Sequence, residues 1–184
     1  VFGIIKVVIY IFGVETLSIT DAASWLPYAS GFTIIMASII ALNSNNLKRR
    51  LAYSTVSQLS YIILAISMLN PYAVIASVFH LVAHAFGKIT LFFAAGAIYT
   101  SLHKTEISEL NGVGRQMPLT MIAFSLGVLC MVGLPISGGF ISKWFLLSGA
   151  MTEGQWFILF VMFLSTLLNV AYFVPIIYRA FFLK

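Results

Sequence analysis

Long apolar runs separated by short polar breaks organise this chain. Six runs occupy residues 1–13, 26–42, 52–69, 72–99, 118–151 and 156–182. All but the first are close to or above the roughly 20 residues that a helix needs to cross a hydrocarbon core of about 30 Å. The apolar positions are continuous rather than alternating, so the pattern predicts membrane-spanning helices and not barrel strands.

The breaks predict how the runs connect. "NPY" at 70–72 and "TEGQ" at 152–155 are turn signals, which indicate tight hairpins between antiparallel helices. The first run is too short for a span, so we expect it to be the end of a helix that starts upstream and the chain to be a fragment. The chain then consists of residues 1–25, a helix end with an outer loop, and residues 26–184, a helical bundle.

Composition places the bundle in a lipid bilayer. Hydrophobic residues make up 61% of the chain and charged residues 8%, and the mean hydropathy is +1.04. These values lie far outside the range of soluble globular domains. The lone Cys130 lies in apolar sequence and is interpreted as a packing residue.

The charges predict an orientation. Alternate breaks carry the basic residues, and the opposite breaks carry only acidic ones, Glu15, Asp21 and Glu153. The positive-inside rule therefore puts the basic breaks in the cytoplasm, which reflects topology and argues against nucleic-acid binding. The basic residues in these breaks are Lys48, Arg49, Arg50, Lys104, Arg115, Arg179 and Lys184.

Three lysines remain inside apolar sequence, and Lys88 has two histidines near it. His80, His84 and Lys88 are spaced four apart, so they form a stripe on one helix face about 12 Å long. Burying an ionisable group in a membrane span costs free energy, so such a group indicates a functional pathway. Buried lysine and histidine side chains can exchange protons near neutral pH. The alternatives are helix-bridging hydrogen bonds, or metal or haem ligation, although HExxH would need Glu where Leu81 stands.

A second constellation is "GLPISGGFISKW" at 133–144. Its residues Gly133, Pro135, Gly138 and Gly139 disfavour helix, so the run 118–151 is predicted to be a helix broken within the membrane. Lys143 follows the break, and transporter sites often combine unwound backbone with an ionisable residue. A proline-kinked packing helix is the alternative, but it leaves the lysine unexplained.

Other polar residues are interpreted as structural. Hydrogen bonding between helices explains most of the cluster in "LAYSTVSQLSY", namely Ser54, Thr55, Ser57, Gln58, Ser60 and Tyr61, and a water path is the alternative. Asn169 and Pro175 indicate a packed, bent helix. Lys6 lies close enough to the end of its run to reach the interface, and its role stays open.

Three segments carry a resemblance to a known family. They resemble, in order and spacing, the antiporter-like proton-translocating subunits of Mrp-type cation/proton antiporters and respiratory complex I. The three segments are "LKRRLAYSTVSQLSYI", "FHLVAHAFGKITLFFAAGAI" and "GLPISGGFISKWFL". The resemblance covers essentially the whole chain. It implies an all-α polytopic bundle, in which residues 26–184 are the second of two inverted five-helix repeats and include the broken helix.

The resemblance also implies roles. Lys88 matches the family's central lysine, His80 and His84 its relay positions, and Lys143 its broken-helix residue. The implied partners are the bilayer, other membrane subunits, protons and Na⁺ or K⁺, in a bacterial inner membrane. The segments 103–121 and 133–151 look most like the D-type antiporter subunit, with the L- and N-type subunits of complex I close.

No cofactor is expected, because a single cysteine cannot ligate an iron–sulfur cluster and no GxGxxG motif occurs. Any redox chemistry would belong to partner subunits. Two rivals from other classes are a haem-binding membrane electron carrier that uses His80 or His84, and an inert assembly subunit.

The orientation is testable. We expect a cysteine introduced at Asn45 to be unreactive toward an impermeant thiol reagent added outside intact cells, because transfer of three adjacent basic residues across the membrane is disfavoured. Labelling from the outside would contradict the orientation.

Overall fold

The computed structural model describes residues 1–13, 16–17 and 24–183. Glu15, Asp21 and Lys184, which enter the charge argument above, lie outside these residues. The helices are α1 Phe2–Lys6, continued by a π-helix Val7–Phe12, then α2 Leu26–Asn43, α3 Leu47–Ile66, α4 Pro71–Leu102, a 3₁₀ turn Ile107–Glu109, α5 Val113–Gln116, α6 Pro118–Val132, α7 Gly138–Thr152 and α8 Trp156–Phe182. Apart from one isolated bridge between Asn46 and Glu106, the described segments hold only helices and loops. The all-helical prediction is confirmed.

Helices α2, α4 and α8 are long and apolar enough to cross a membrane. Helix α3 has 20 residues, but its basic and polar side chains keep composition alone from marking it as a span. Its polar side chains are accommodated because most of the helix is buried in the bundle: Ser54, Ser57 and Gln58 are fully buried.

The start of α3 corrects the sequence prediction. We placed Lys48, Arg49 and Arg50 in a loop and began the span at residue 52, but the helix begins at Leu47. The Asn46 side chain caps it by accepting a hydrogen bond of 3.1 Å from the Arg49 backbone N–H. A capped N-terminus supplies a partner for an otherwise free amide, which extends the helix through the basic residues.

The run 118–151 is two helices, as the sequence predicts. Helix α6 ends at Val132, and α7 starts at Gly138, where the Ser137 hydroxyl accepts a bond of 3.2 Å from the Phe140 N–H. Gly133 terminates α6 with φ +85°, a conformation that residues with a Cβ rarely adopt.

Helix α4 organises the bundle, because it packs against α3, α6 and α7, while α2 packs against α3 and α8. Two apolar clusters result. One contains Leu91 and Ile98 of α4, and the other contains Ala73 and Ala76 near its start. The part of α4 between the clusters carries His80, His84 and Lys88.

The basic breaks meet at one end of the bundle. The Leu47 N–H donates to Thr105 O at 2.9 Å, and the Ile107 N–H donates to Asn45 O at 2.8 Å. The Gly112 N–H reaches Arg179 O at 3.3 Å. The start of α3, the loop after α4 and the end of α8 therefore share one surface, as alternating charge requires.

Arg50 is the feature of this end that the sequence did not reveal. Only 8% of its surface is exposed. Its guanidinium donates to Ser44 O at 2.9 Å and Leu42 O at 3.0 Å, at the end of α2, and to Tyr172 O of α8 at 2.8 Å. One side chain of α3 therefore joins two neighbouring helices through their carbonyls.

We expect Arg50→Ala to destabilise the full-length protein by about 2–4 kcal/mol, because charge-assisted hydrogen bonds are lost and buried carbonyls lose a partner. Arg50→Lys should lose less, since an ammonium keeps the charge but cannot span three carbonyls with a planar fork. Thermal unfolding in detergent measures both, and Arg49→Ala, an exposed neighbour, is the matched control. An unchanged midpoint in Arg50→Ala would contradict the assignment.

Candidate functional site

The predicted stripe on α4 faces the interior of the bundle. His80, His84 and Lys88 are 4%, 6% and 5% exposed, whereas Phe86, on the opposite face, is 72% exposed. The two imidazole rings stack with centroids 6.3 Å apart and an interplanar angle of 16°. Helical spacing thus produces a continuous line of titratable groups inside the protein.

Lys88 is held by α3. Its ammonium donates a hydrogen bond of 3.0 Å to Leu51 O and a second, short one to the Ser54 hydroxyl. It also lies 5.7 Å from the centroid of the Phe173 ring of α8, within cation–π range. A buried lysine is tolerable here because its donors have acceptors and an aromatic face.

His80 connects the stripe to the broken helix. Its Nδ1 is 2.9 Å from the Ser142 hydroxyl, which itself donates to Gly139 O at 2.9 Å. Either Nδ1 or the hydroxyl can donate in this bond, according to the tautomer of the ring, and Nε2 has no hydrogen-bond partner among the described residues. The ring also stacks on Tyr61, with centroids 5.5 Å apart.

Lys143 stabilises the helix break. Its ammonium donates to Met131 O at 3.2 Å and Val132 O at 2.8 Å, two carbonyls at the end of α6 that the interruption would leave free. It also lies 5.4 Å from the centroid of the Tyr61 ring. Tyr61 therefore has Lys143 beside it and His80 stacked on it.

The glycines predicted at the break allow a close approach. A Cβ on Gly139 would lie 1.8 Å from Cys130 O, so only glycine fits where α7 crosses the end of α6. Gly138 begins α7 next to Ala83 of α4, and Pro135 lies in the unwound residues 133–137. The backbone contact places Ser142 and Lys143 against α4.

A cavity of about 270 Å³ opens beside the break. Lys143 and Thr166 are its polar side chains, and the other side chains that line it are apolar or aromatic, including Trp144 and Phe163. The lining is largely apolar, and Lys143 itself supplies the partner for the freed carbonyls.

Hydrogen bonds between helices account for several members of the polar cluster on α3. Ser57 bonds to Ser38 of α2 at 2.9 Å, and Tyr61 makes a short bond to Ser165 of α8. Ser54 also bonds across helices, since its hydroxyl accepts a hydrogen bond from Lys88 of α4. No pattern in the sequence indicates a role for Ser142, because its position depends on how α7 crosses the end of α6 after the break.

A metal site does not form around the stripe. Within residues 1–13, 16–17 and 24–183, no three His, Cys, Asp or Glu side chains are grouped to hold an ion. His80 and His84 are stacked on one helix with a lysine next in line, and Lys88 would repel a cation.

Fold and site together define a polytopic helical membrane protein with a buried chain of titratable residues across a broken helix. The chain belongs to the NADH:quinone oxidoreductase/Mrp antiporter transmembrane family, whose model matches residues 1–169. The predicted resemblance is confirmed, and the protein is an integral membrane protein.

Relatives come from several complexes. The chain is 38% identical over 148 residues to NADH-quinone oxidoreductase subunit N of Desulforudis audaxviator, which covers 80% of this chain and 30% of that protein. A chain of the archaeal membrane-bound sulfane sulfur reductase superposes with TM-score 0.82 at 32% identity, over 89% of this chain and 34% of that one. A chain of the Mrp complex of Dietzia superposes with TM-score 0.81 at 23% identity, over 92% and 32%, and shows the same fold. The chain thus spans about a third of the length of these relatives.

The close crossing at the break is testable. We expect Gly139→Ala to force α7 away from α6, because a methyl group cannot occupy a position 1.8 Å from Cys130 O. The full-length variant should show a lowered unfolding midpoint and a broken His80–Ser142 contact. Gly96→Ala, where a Cβ meets nothing within 4 Å, is the control. Equal midpoints for the two variants would refute the tight crossing.

Proposed function

We propose that this chain forms part of a proton-translocating membrane subunit, in which Lys88, His84, His80 and Lys143 carry the proton. The observation that supports this most strongly is the continuity of the buried line. Lys88 and His84 are one helical turn apart, His84 stacks on His80, and His80 bonds to Ser142, the neighbour of Lys143. Residues from α4 and α7 thus form one chain of exchangeable groups.

The two lysines bracket the relay. Lys143 is held by two backbone carbonyls, and Lys88 by one carbonyl and the Ser54 hydroxyl. Each also lies beside an aromatic ring, so each can release a proton without losing its place. Each imidazole between them can take up a proton at one nitrogen and release a proton from the other, passing through its imidazolium form and ending in the other tautomer. His80 Nε2 is the ring nitrogen that the Ser142 contact leaves without a partner among the described residues.

Charge repulsion couples the steps. At an effective dielectric of about 20, two unit charges about 10 Å apart repel by roughly 1.7 kcal/mol, which changes a proton equilibrium by more than a factor of ten. Protonation at Lys143 therefore disfavours a proton at the near end of the stripe. This is large enough to direct a transfer and small enough not to trap the proton.

The energy source belongs to the whole complex. The 38% identity to a NADH-quinone oxidoreductase subunit favours proton pumping driven by redox chemistry in partner subunits. Exchange of Na⁺ or K⁺ for protons is the second candidate, supported by the segment resemblance to D-type subunits and the fold shared with the Mrp complex. In either case we propose that residues 26–184 act as one repeat beside other membrane subunits, in a bacterial inner membrane with the basic end cytoplasmic.

The rival functions fit the packing less well. Haem ligation requires an open face beside a histidine, but His80 and His84 are almost fully covered by α3 and α7. Pure helix bridging does not account for the unpartnered Nε2 atoms of both histidines.

The test is proton movement in vesicles that contain the whole complex, with variants matched for expression. Lys88→Ala should abolish transport, whereas His80→Ala and His84→Ala should slow it, because water can bridge a missing relay group but cannot replace a charge-switching one. Lys143→Ala and Lys143→Met should lose most transport, and Lys143→Glu should keep more, since a titratable group survives.

The driving force that moves protons distinguishes redox-driven pumping from exchange of Na⁺ or K⁺. Proton movement on addition of electron donor supports redox coupling, and movement on a Na⁺ or K⁺ jump supports exchange. Wild-type transport in both Lys88→Ala and Lys143→Met would refute the proton pathway.

A further inference from the structure

A second polar cluster adjoins the stripe where α3 meets α8. It consists of Ser54, Gln58, Asn169 and Tyr172, each fully buried. The Tyr172 hydroxyl donates a short hydrogen bond to Asn169 Oδ1, and it lies next to the Gln58 amide and the Ser54 hydroxyl. Ser54 is also the residue that accepts a bond from Lys88. The cluster therefore touches the stripe at Lys88.

The other end of the cluster reaches His80, because Tyr61, about one helical turn beyond Gln58 on α3, stacks on the His80 ring with centroids 5.5 Å apart. His80 and Lys88 are thus joined in two ways. One connection runs along α4 through His84, and the other runs across α3 and α8 through Gln58, Tyr172 and Ser54. Only the first was visible in the sequence, since it depends on spacing within one helix.

The cluster carries unused hydrogen-bonding capacity. Gln58 Oε1 and Nε2, Asn169 Nδ2 and the Nε2 atoms of both histidines have no partner among the described residues. Each such buried atom costs about 1–3 kcal/mol if it stays unpaired, so buried polar groups are paired with protein or with ordered water. These unpaired donors and acceptors supply the two to four polar partners that a buried water needs.

We propose that Gln58 and Tyr172 hold water that connects His80 to Ser54 and Lys88, and that this forms a proton branch parallel to His84. The inference rests on the proposed function. Gln58 does not titrate. Its amide oxygen accepts from water and its N–H donates to water, so it fixes the orientation of the chain as a positioning residue.

The transfer balances without other reactants. The step begins with His80 protonated on both ring nitrogens and Lys88 neutral. His80 releases the Nε2 proton to the adjacent water, each water passes on one of its own hydrogens, and the Lys88 amine accepts the last one. The Tyr172 and Ser54 hydroxyls align the waters and end the step unchanged. One proton has then moved from His80 to Lys88, and the reverse order returns it.

Parallel branches predict a specific pattern of rates. Loss of one branch leaves the other, so His84→Leu and Gln58→Leu should each lower proton transport by no more than about threefold. The double variant should fall to the background of Lys88→Ala, far below the product of the two single effects. Tyr172→Phe keeps the ring but removes the hydroxyl, so it should behave like Gln58→Leu in both backgrounds.

The experiment uses the full complex in vesicles, with the wild type and Lys88→Ala in every series. Ser57→Ala, a buried neighbour that bonds to Ser38 instead, is the matched control and should be additive with His84→Leu. Unfolding midpoints are measured for each variant, and Tyr172→Phe replaces Gln58→Leu if the latter does not fold. With Lys88→Ala inactive, two results overturn the branch. One is a transport rate in the double variant that equals the product of the two single effects, and the other is a rate at background in Gln58→Leu alone. Full transport in Lys88→Ala overturns the proposed function and the branch with it.

Discussion

Hydrocarbon provides no hydrogen-bond partners, and this constraint decides how the buried polar groups of the chain are arranged. Among the described residues, three basic side chains lie inside the bundle, and each binds at least one backbone carbonyl. Arg50 binds the end of α2 and Tyr172 O of α8, Lys88 binds Leu51 O of α3, and Lys143 binds the last carbonyls of α6. Carbonyl dipoles lower the cost of a buried positive charge, and in return the cations satisfy carbonyls where helices end.

The binding of a buried cation to backbone carbonyls also positions the titratable residues. The interruption at residues 133–137 frees carbonyls, Lys143 satisfies them, and the close crossing at Gly139 brings α7 against α4 so that Ser142 reaches His80. A continuous helix would have no use for a lysine at this position and would not bring it near the stripe. The break is therefore what joins two titratable regions that are more than 50 residues apart in the sequence.

Sequence reasoning worked where the information is local. Spacing of four places His80, His84 and Lys88 on one face, and glycine with proline predicts the break, because both depend on the geometry of a single helix. It failed where helices meet. The burial of Arg50, and the positions of Ser142 and Tyr172, depend on which surfaces pack together, and a basic residue near a helix start gives no sign that two other helices will cover it. Gln58 and Asn169 were interpreted as structural for the same reason.

The proposed proton transfer between the two lysines requires that the buried polar atoms form one hydrated chain. The most direct measurement is a cryo-EM map of the whole complex at a resolution that shows ordered water. We expect water density within hydrogen-bonding distance of the Gln58 amide and of Nε2 of His80 and His84, and we expect this density to continue to Lys88. A dry interior at Gln58, with its amide closed by direct side-chain contacts, would contradict it.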